Sequence, residues 1–192
     1  MPKSFEVSAL AALILASPHN RRIVVMGVSG SGKTTVGKAL ARAVGILFRD
    51  GDDLHPASNV AKMRAGKPLN DDDRWGWLEL VANSLRRDAP VVIACSALRS
   101  VYRSHIRVAT GTAVQFVYLS GTRDLIAQRI ATSQHKHLPQ GLLDSQFETL
   151  EPPSAGDAMI IPIILTVAQQ VAMILEILSA GATFSVPLPP TH

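Results

Sequence analysis

Five short apolar runs punctuate the chain, at 22–26, 46–49, 91–95, 114–119 and 159–164. Runs of this length suit strands of a parallel sheet that is covered on both faces. Between them the apolar positions fall into helical period. Val36, Ala39, Leu40, Ala43 and Val44 mark one helix, closed by Gly45, and Leu78, Val81, Ala82 and Leu85 mark another, closed by Asp88-Ala89-Pro90. Val167, Val171, Ile174, Leu175 and Leu178 mark the last, closed by Gly181. Strand–helix alternation predicts an α/β domain of three layers, a five-stranded parallel sheet between helices. That domain spans 21–181. Residues 1–20 read as an N-terminal extension, in which the apolar stretch Ser8–Ala16 is too short to cross a bilayer. Residues 182–192, with three prolines, read as an irregular tail.

The first strand runs into Gly27-Val28-Ser29-Gly30-Ser31-Gly32-Lys33-Thr34, a full match to the phosphate-binding pattern G-x-x-x-x-G-K-[ST]. Its glycines let the backbone curl so that successive N–H groups face phosphate oxygens, and the following helix adds its positive end. Lys33 is placed to reach the β- and γ-phosphates and the Thr34 hydroxyl to hold Mg²⁺, with Thr35 completing the ATP-binding stretch. Strand, loop and helix occur in the order that nucleoside triphosphate binding requires.

Composition narrows the alternatives. At 192 residues, 47% hydrophobic and 18% charged, the chain is one ordinary globular domain. The net charge of +4 and pI near 9.6 come from scattered basic residues with no run among them, which argues against a nucleic-acid partner. The single Cys95 excludes an intramolecular disulfide and suits a reducing cytoplasm. No span long enough for a membrane is present. The run at 91–95 ends in Cys95-Ser96 rather than in an aspartate, unlike GTPases and motor ATPases, and fits the small metabolite kinases.

Asp50-Gly51-Asp52 follows the second strand, at the carboxyl edge where ligands lie in an open parallel sheet. One carboxylate suits the Mg²⁺ shell, the other the attacking hydroxyl. Arg74 is either a bidentate fork for a substrate carboxylate or a surface partner of Asp71 to Asp73. Asn70 or Asp71 is positioned to cap the helix through Leu85, and Ser96 either faces the substrate or caps a helix from Ala97.

Asp50-Gly51-Asp52-Asp53-Leu54-His55-Pro56, Lys62-Met63, the run from Gly66-Lys67-Pro68 to Asp73-Arg74, and Trp77-Leu78 resemble the small P-loop gluconokinases, which are similar to shikimate kinases. Cys95-Ser96-Ala97-Leu98-Arg99, Tyr102-Arg103, Val117-Tyr118-Leu119 and Ser145-Gln146-Phe147-Glu148-Thr149-Leu150-Glu151 extend the likeness from about Val24 to Glu151. The resemblance implies the P-loop kinase fold and transfer of the ATP γ-phosphate to the 6-hydroxyl of D-gluconate. It implies Lys33 and Asp52 as catalytic residues, Asp52 being the hydroxyl-orienting base, and Thr34 and Asp50 at the metal. Asp52, His55, Arg74, Arg103 and Gln146 form the implied substrate pocket, and a cytoplasmic homodimer the implied assembly.

The chain departs from the family pattern in places. In the lid near 131–140, Ser133 stands where a lid arginine is expected, and Lys136 and His137 stand at the usual His and Phe positions. Such cations contribute about 10³–10⁵ in rate. An impaired ATP- and gluconate-binding sensor, or a kinase of another sugar acid, are the alternatives that this raises. His135 and His137 have metal-like spacing but no third ligand nearby. Trp75-Gly76 replaces a proline-containing pair, which predicts a looser helix start, and Pro162 predicts an edge position or a bulge for the last strand.

Overall fold

The computed structural model describes residues 21–67, 69–132 and 140–180. The expectations for the extension, for the lid residues 133–139 with their His-x-His spacing, and for Gly181 and the tail lie outside the described residues.

Strand β1 (Arg22–Met26) leads through the phosphate-binding loop into helix α1 (Lys33–Val44). Strand β2 (Leu47–Asp50) ends in a 3₁₀ turn (Gly51–Leu54), followed by α2 (Ala57–Arg64) and α3 (Asp71–Arg87). Then come β3 (Val91–Ala94), α4 (Ser100–Thr110), β4 (Gln115–Ser120), α5 (Arg123–Thr132), α6 (Gln140–Thr149), β5 (Met159–Pro162) and α7 (Val167–Ser179). The five strands are all parallel, in the order β2-β3-β1-β4-β5. The predicted α/β/α architecture is the one observed.

Strand periodicity divides the core. Ile23 and Val25 of β1 point, with Val117 and Leu119 of β4, toward Val36 and Leu40 of α1 and Ile174 and Leu175 of α7. Val24 and Met26 point the other way, with Ile93 and Phe116, toward Trp77, Leu78 and Val81 of α3 and Ile106 of α4. The central strands are therefore apolar on both sides, which is why they read as unbroken runs. The last run behaves differently. Strand β5 sits at the sheet edge and stops at Pro162, and Met159 and Ile161 are buried while Ile160 is 38% exposed. An edge position tolerates the missing proline donor.

Helix ends follow the local chemistry. Gly45 closes α1 with φ 65. Helix α3 starts cleanly at Asp71 through a capping box: Asp73 N–H donates to Asn70 Oδ1 at 2.9 Å, and Asn70 N–H donates to Asp73 Oδ2 at 3.0 Å. The looser start expected at Trp75-Gly76 is not found, because the helix has already begun four residues upstream. Ser96 caps no helix, since α4 begins at Ser100 with Arg99 in the cap position.

Candidate active site

The phosphate-binding loop, the 3₁₀ turn and the start of α3 meet at the carboxyl edge of the sheet. Gly27, Gly30 and Gly32 hold φ 144, 80 and 97, a backbone that other residues adopt only with strain. Lys33 Nζ donates to Val28 O at 3.1 Å across its own loop. Burial pushes its ammonium pKa down, while Asp52, Cys95 and Asp50 oppose the shift. Thr34 Oγ1 donates to Asp50 Oδ2 at 2.8 Å, and Asp50 Oδ1 accepts from Asp52 N–H at 3.2 Å. The two residues expected at the metal are thus adjacent. A hydroxyl and a carboxylate make a hard oxygen set, which fits Mg²⁺ completed by phosphate and water. Among the described residues no cluster of three His, Cys, Asp or Glu side chains offers an all-protein cage.

Gly51 brings Asp50 and Asp52 close to the sheet. A Cβ there would lie 2.4 Å from Ala94 O, so only glycine lets the turn fold over the end of β3. From below, Trp77 Nε1–H donates to Gly51 O at 2.7 Å. The Asp52 side chain is largely exposed; desolvation of its carboxyl raises its pKa, Lys33 opposes, and Asp50 and Asp53 add to the rise. The Asp52 carboxylate and the Lys33 ammonium therefore lie within electrostatic reach of each other. Beside them Cys95 is buried, and desolvation pushes its thiol up to about 12.

His55 stacks on Trp77, with ring centroids 4.2 Å apart and planes at 14°, and its Nε2 lies 4.0 Å from Asp52 Oδ1. Burial and then the Arg74 guanidinium push its pKa down to about 4, so it is a neutral imidazole at physiological pH. Arg74 leans over the Tyr102 ring at 5.7 Å and donates to Leu69 O at 3.2 Å. Among the described residues Arg74 forms no salt bridge with Asp71, Asp72 or Asp73, but its charge helps to lower the pKa of Asp71 and Asp73. Two of those carboxylates have close partners: Asp71 binds Arg99 at 2.6 Å and the Tyr102 hydroxyl at 2.5 Å, and Asp73 binds Lys62 at 2.5 Å.

Two residues of the expected pocket are placed differently. Arg103 is 2% exposed; its Nε donates to Asp157 at 2.9 Å and its Nη1 to the Ala97 and Leu98 carbonyls at 3.3 and 3.1 Å. The structure does not bring it into the cleft, because α4 turns its side chain under the β3–α4 connection. Gln146, from α6, reaches the phosphate loop itself. Its Oε1 accepts from Ser29 N–H at 2.6 Å and its Nε2 donates to Ser29 Oγ at 3.0 Å.

Several supporting contacts are set by the fold. A cavity of about 220 Å³ beside the loop is lined by Thr35, Arg129, Thr166 and Gln170 among others. Gln170 fixes the turn after β5 by donating to Pro162, Ile163 and Leu165 carbonyls, and Arg129 donates to Ile163 O. Glu151 caps α4 from a distance, accepting from Ser100 N–H at 2.7 Å. The Arg129 and Glu151 pairings join residues 34 and 51 positions apart, so local pattern carries no trace of them.

A nucleotide-binding loop, a facing carboxylate and a polar acceptor cleft on a five-stranded parallel sheet define a P-loop kinase of a small hydroxylated metabolite. The shikimate kinase family model matches residues 29–151. The chain is 43% identical over 156 residues to a probable gluconokinase of Xenopus tropicalis, covering 72% of this chain and 82% of that one. It is 38% identical over 170 residues to the thermoresistant gluconokinase of Escherichia coli K12, covering 85% and 97%. The solved structure of a gluconokinase from Sinorhizobium meliloti 1021 superposes with a TM-score of 0.80 at 41% identity, covering 85% of this chain and 94% of that one. The chain belongs to the gluconokinases of the shikimate kinase family.

Proposed function

We propose that the protein transfers the γ-phosphate of ATP to the 6-hydroxyl of D-gluconate, giving 6-phosphogluconate and ADP. The observation that carries this reading is that Lys33 and His55 both lie near Asp52, and Arg74 near His55, beside the Thr34–Asp50 pair. The curated gluconokinases at comparable identity support the choice of acceptor.

Lys33 and the loop N–H groups hold the phosphates, with Lys33 leaving Val28 O for them. Thr34 and Asp50 would hold Mg²⁺, which would neutralise phosphate charge when bound. Arg74 pairs with the gluconate carboxylate, for which planar paired donors are suited. Asp52 accepts the hydrogen bond of the 6-hydroxyl and sets its lone pair in line with the γ-phosphorus. As the new O–P bond forms, the bond to the β-phosphate oxygen breaks, and the hydroxyl proton passes to the Asp52 carboxylate. No covalent enzyme intermediate is needed. Arg103 has a bracing part in this reading, and Gln146 acts at the loop rather than on the sugar acid. The homodimer and cytoplasmic location implied by the resemblance belong to the same reading, and sedimentation at micromolar concentration tests the first.

A coupled ADP-release assay with ATP, Mg²⁺ and D-gluconate, and with shikimate as control, tests the function. Gluconate-dependent turnover is expected. Binding of both ligands without ADP release would instead identify the sensor alternative.

A further inference from the structure

One end of the His55 ring faces Asp52 and the other faces Asn59. Asn59 lies on α2 and is 3% exposed. Its Nδ2 donates to the backbone carbonyl of Asp73 at 2.7 Å and lies 3.3 Å from His55 Nδ1. A backbone carbonyl only accepts, so this bond sets which end of the Asn59 amide is the NH₂ group. The second hydrogen of that group then points at His55 Nδ1, which must be the accepting nitrogen. A neutral imidazole that accepts at Nδ1 carries its proton at Nε2. Nε2 is the atom directed toward Asp52, and the 4.0 Å between them is longer than a direct hydrogen bond. Trp77 fixes the plane of the ring by stacking on it. Asp73 fixes Asn59 in turn, since its carboxylate is held by Lys62 and by Asn70 N–H.

We propose that Asn59 is a positioning residue for the reaction: it locks His55 as the Nε2–H tautomer, so that a neutral N–H donor beside Asp52 binds a hydroxyl of the polyol acceptor. The groups facing the ring are Asn59 from α2, Asp52 from the 3₁₀ turn, and Trp77 and Arg74 from α3. An N–H donor and a carboxylate side by side select an acceptor with two hydroxyls in reach, one to be bound by the imidazole and one to be deprotonated. The identity of that acceptor rests on the gluconokinase reading; the tautomer does not.

The test uses the full chain labelled with ¹⁵N-histidine, the His55 signals being assigned by their loss in His55→Gln. Long-range ¹H–¹⁵N spectra at pH 7.5 should show His55 with the proton on Nε2. In Asn59→Asp the new carboxylate accepts from Nδ1–H, so the spectrum should move to the other tautomer or to imidazolium. The gluconate kcat/KM of that variant should fall at least tenfold, with the ATP dissociation constant within twofold. Asn59→Leu, which removes the donor without adding charge, should give mixed tautomers and a smaller loss. A wild-type His55 protonated at Nδ1 would overturn the proposal without any variant being made. So would an Asn59→Asp chain with the switched tautomer and unchanged gluconate kcat/KM. If the wild type fails to turn over gluconate while His55 shows the Nε2–H form, the gluconokinase reading fails and the tautomer assignment stands.

Discussion

Replacing Arg103 by methionine separates a bracing residue from a substrate-binding one. The guanidinium is held by Asp157 and by the Ala97 and Leu98 carbonyls, inside the molecule. Breaking a buried ion pair costs about 3–5 kcal/mol because it strands the remaining charge. Here Asp157 keeps a second partner, Arg107 at 2.7 Å, which places the expected loss near the lower end, about 3 kcal/mol. Ala97, which sits at φ 41 under these bonds, loses part of what holds it there. For a chain of this size each kcal/mol moves Tm by about 2–4 °C, so Arg103→Met should melt roughly 6–12 °C lower. Urea unfolding and calorimetry give the stability, and the coupled assay at low temperature, where the variant is folded, gives the gluconate KM. That KM should stay within about threefold, because no contact in the cleft is removed. An Arg103→Met protein with wild-type stability and a gluconate KM raised more than tenfold would refute the bracing role and return Arg103 to the pocket.

Three further outcomes follow from the same geometry. Asp52→Ala should lower kcat by about 10²–10⁴ with little change in ATP affinity by calorimetric titration; an unchanged kcat would remove Asp52 from the chemistry. Gly51→Ala should push the turn off Ala94 O and displace both site carboxylates, costing about 10² in kcat, and a normal kcat would show that the turn's close approach to the sheet is dispensable. The neutral His55 makes stability depend on pH. Its folded pKa of about 4 lies below the ordinary 6.5, so between these values the unfolded chain binds a proton that the folded one does not. The His55 contribution is therefore complete above pH 6.5 and is lost as pH falls toward 4; urea unfolding at pH 7 and 4.5 should show a decrease that is smaller in His55→Gln.

The chain's own pattern determined the layers and the phosphate site. Strands buried on both faces read as continuous apolar runs, helices as 3.6-residue stripes, and the loop as a fixed spacing of glycines before Lys33-Thr34, because each is a local requirement met within a few residues. Asp50 and Asp52 were legible for the same reason, through their place at the end of a strand. The start of α3 was equally local: Asn70 and Asp73 are three residues apart and cap each other.

What only the tertiary structure decided was direction and occupancy. Sequence shows that Arg103 and Arg74 carry guanidinium groups near the site, but not that α4 turns one beneath the sheet edge toward Asp157, 54 residues on, while α3 leaves the other over the Tyr102 ring. Gln146 and Ser29, 117 residues apart, meet because α6 crosses the mouth of the loop. The tautomer of His55 depends on a carbonyl of another helix, reached through Asn59. Side-chain charge and hydrogen-bonding capacity belong to the residue type, but which partner uses that capacity is set by packing between elements distant in sequence, and there the periodicity of the chain carries no information.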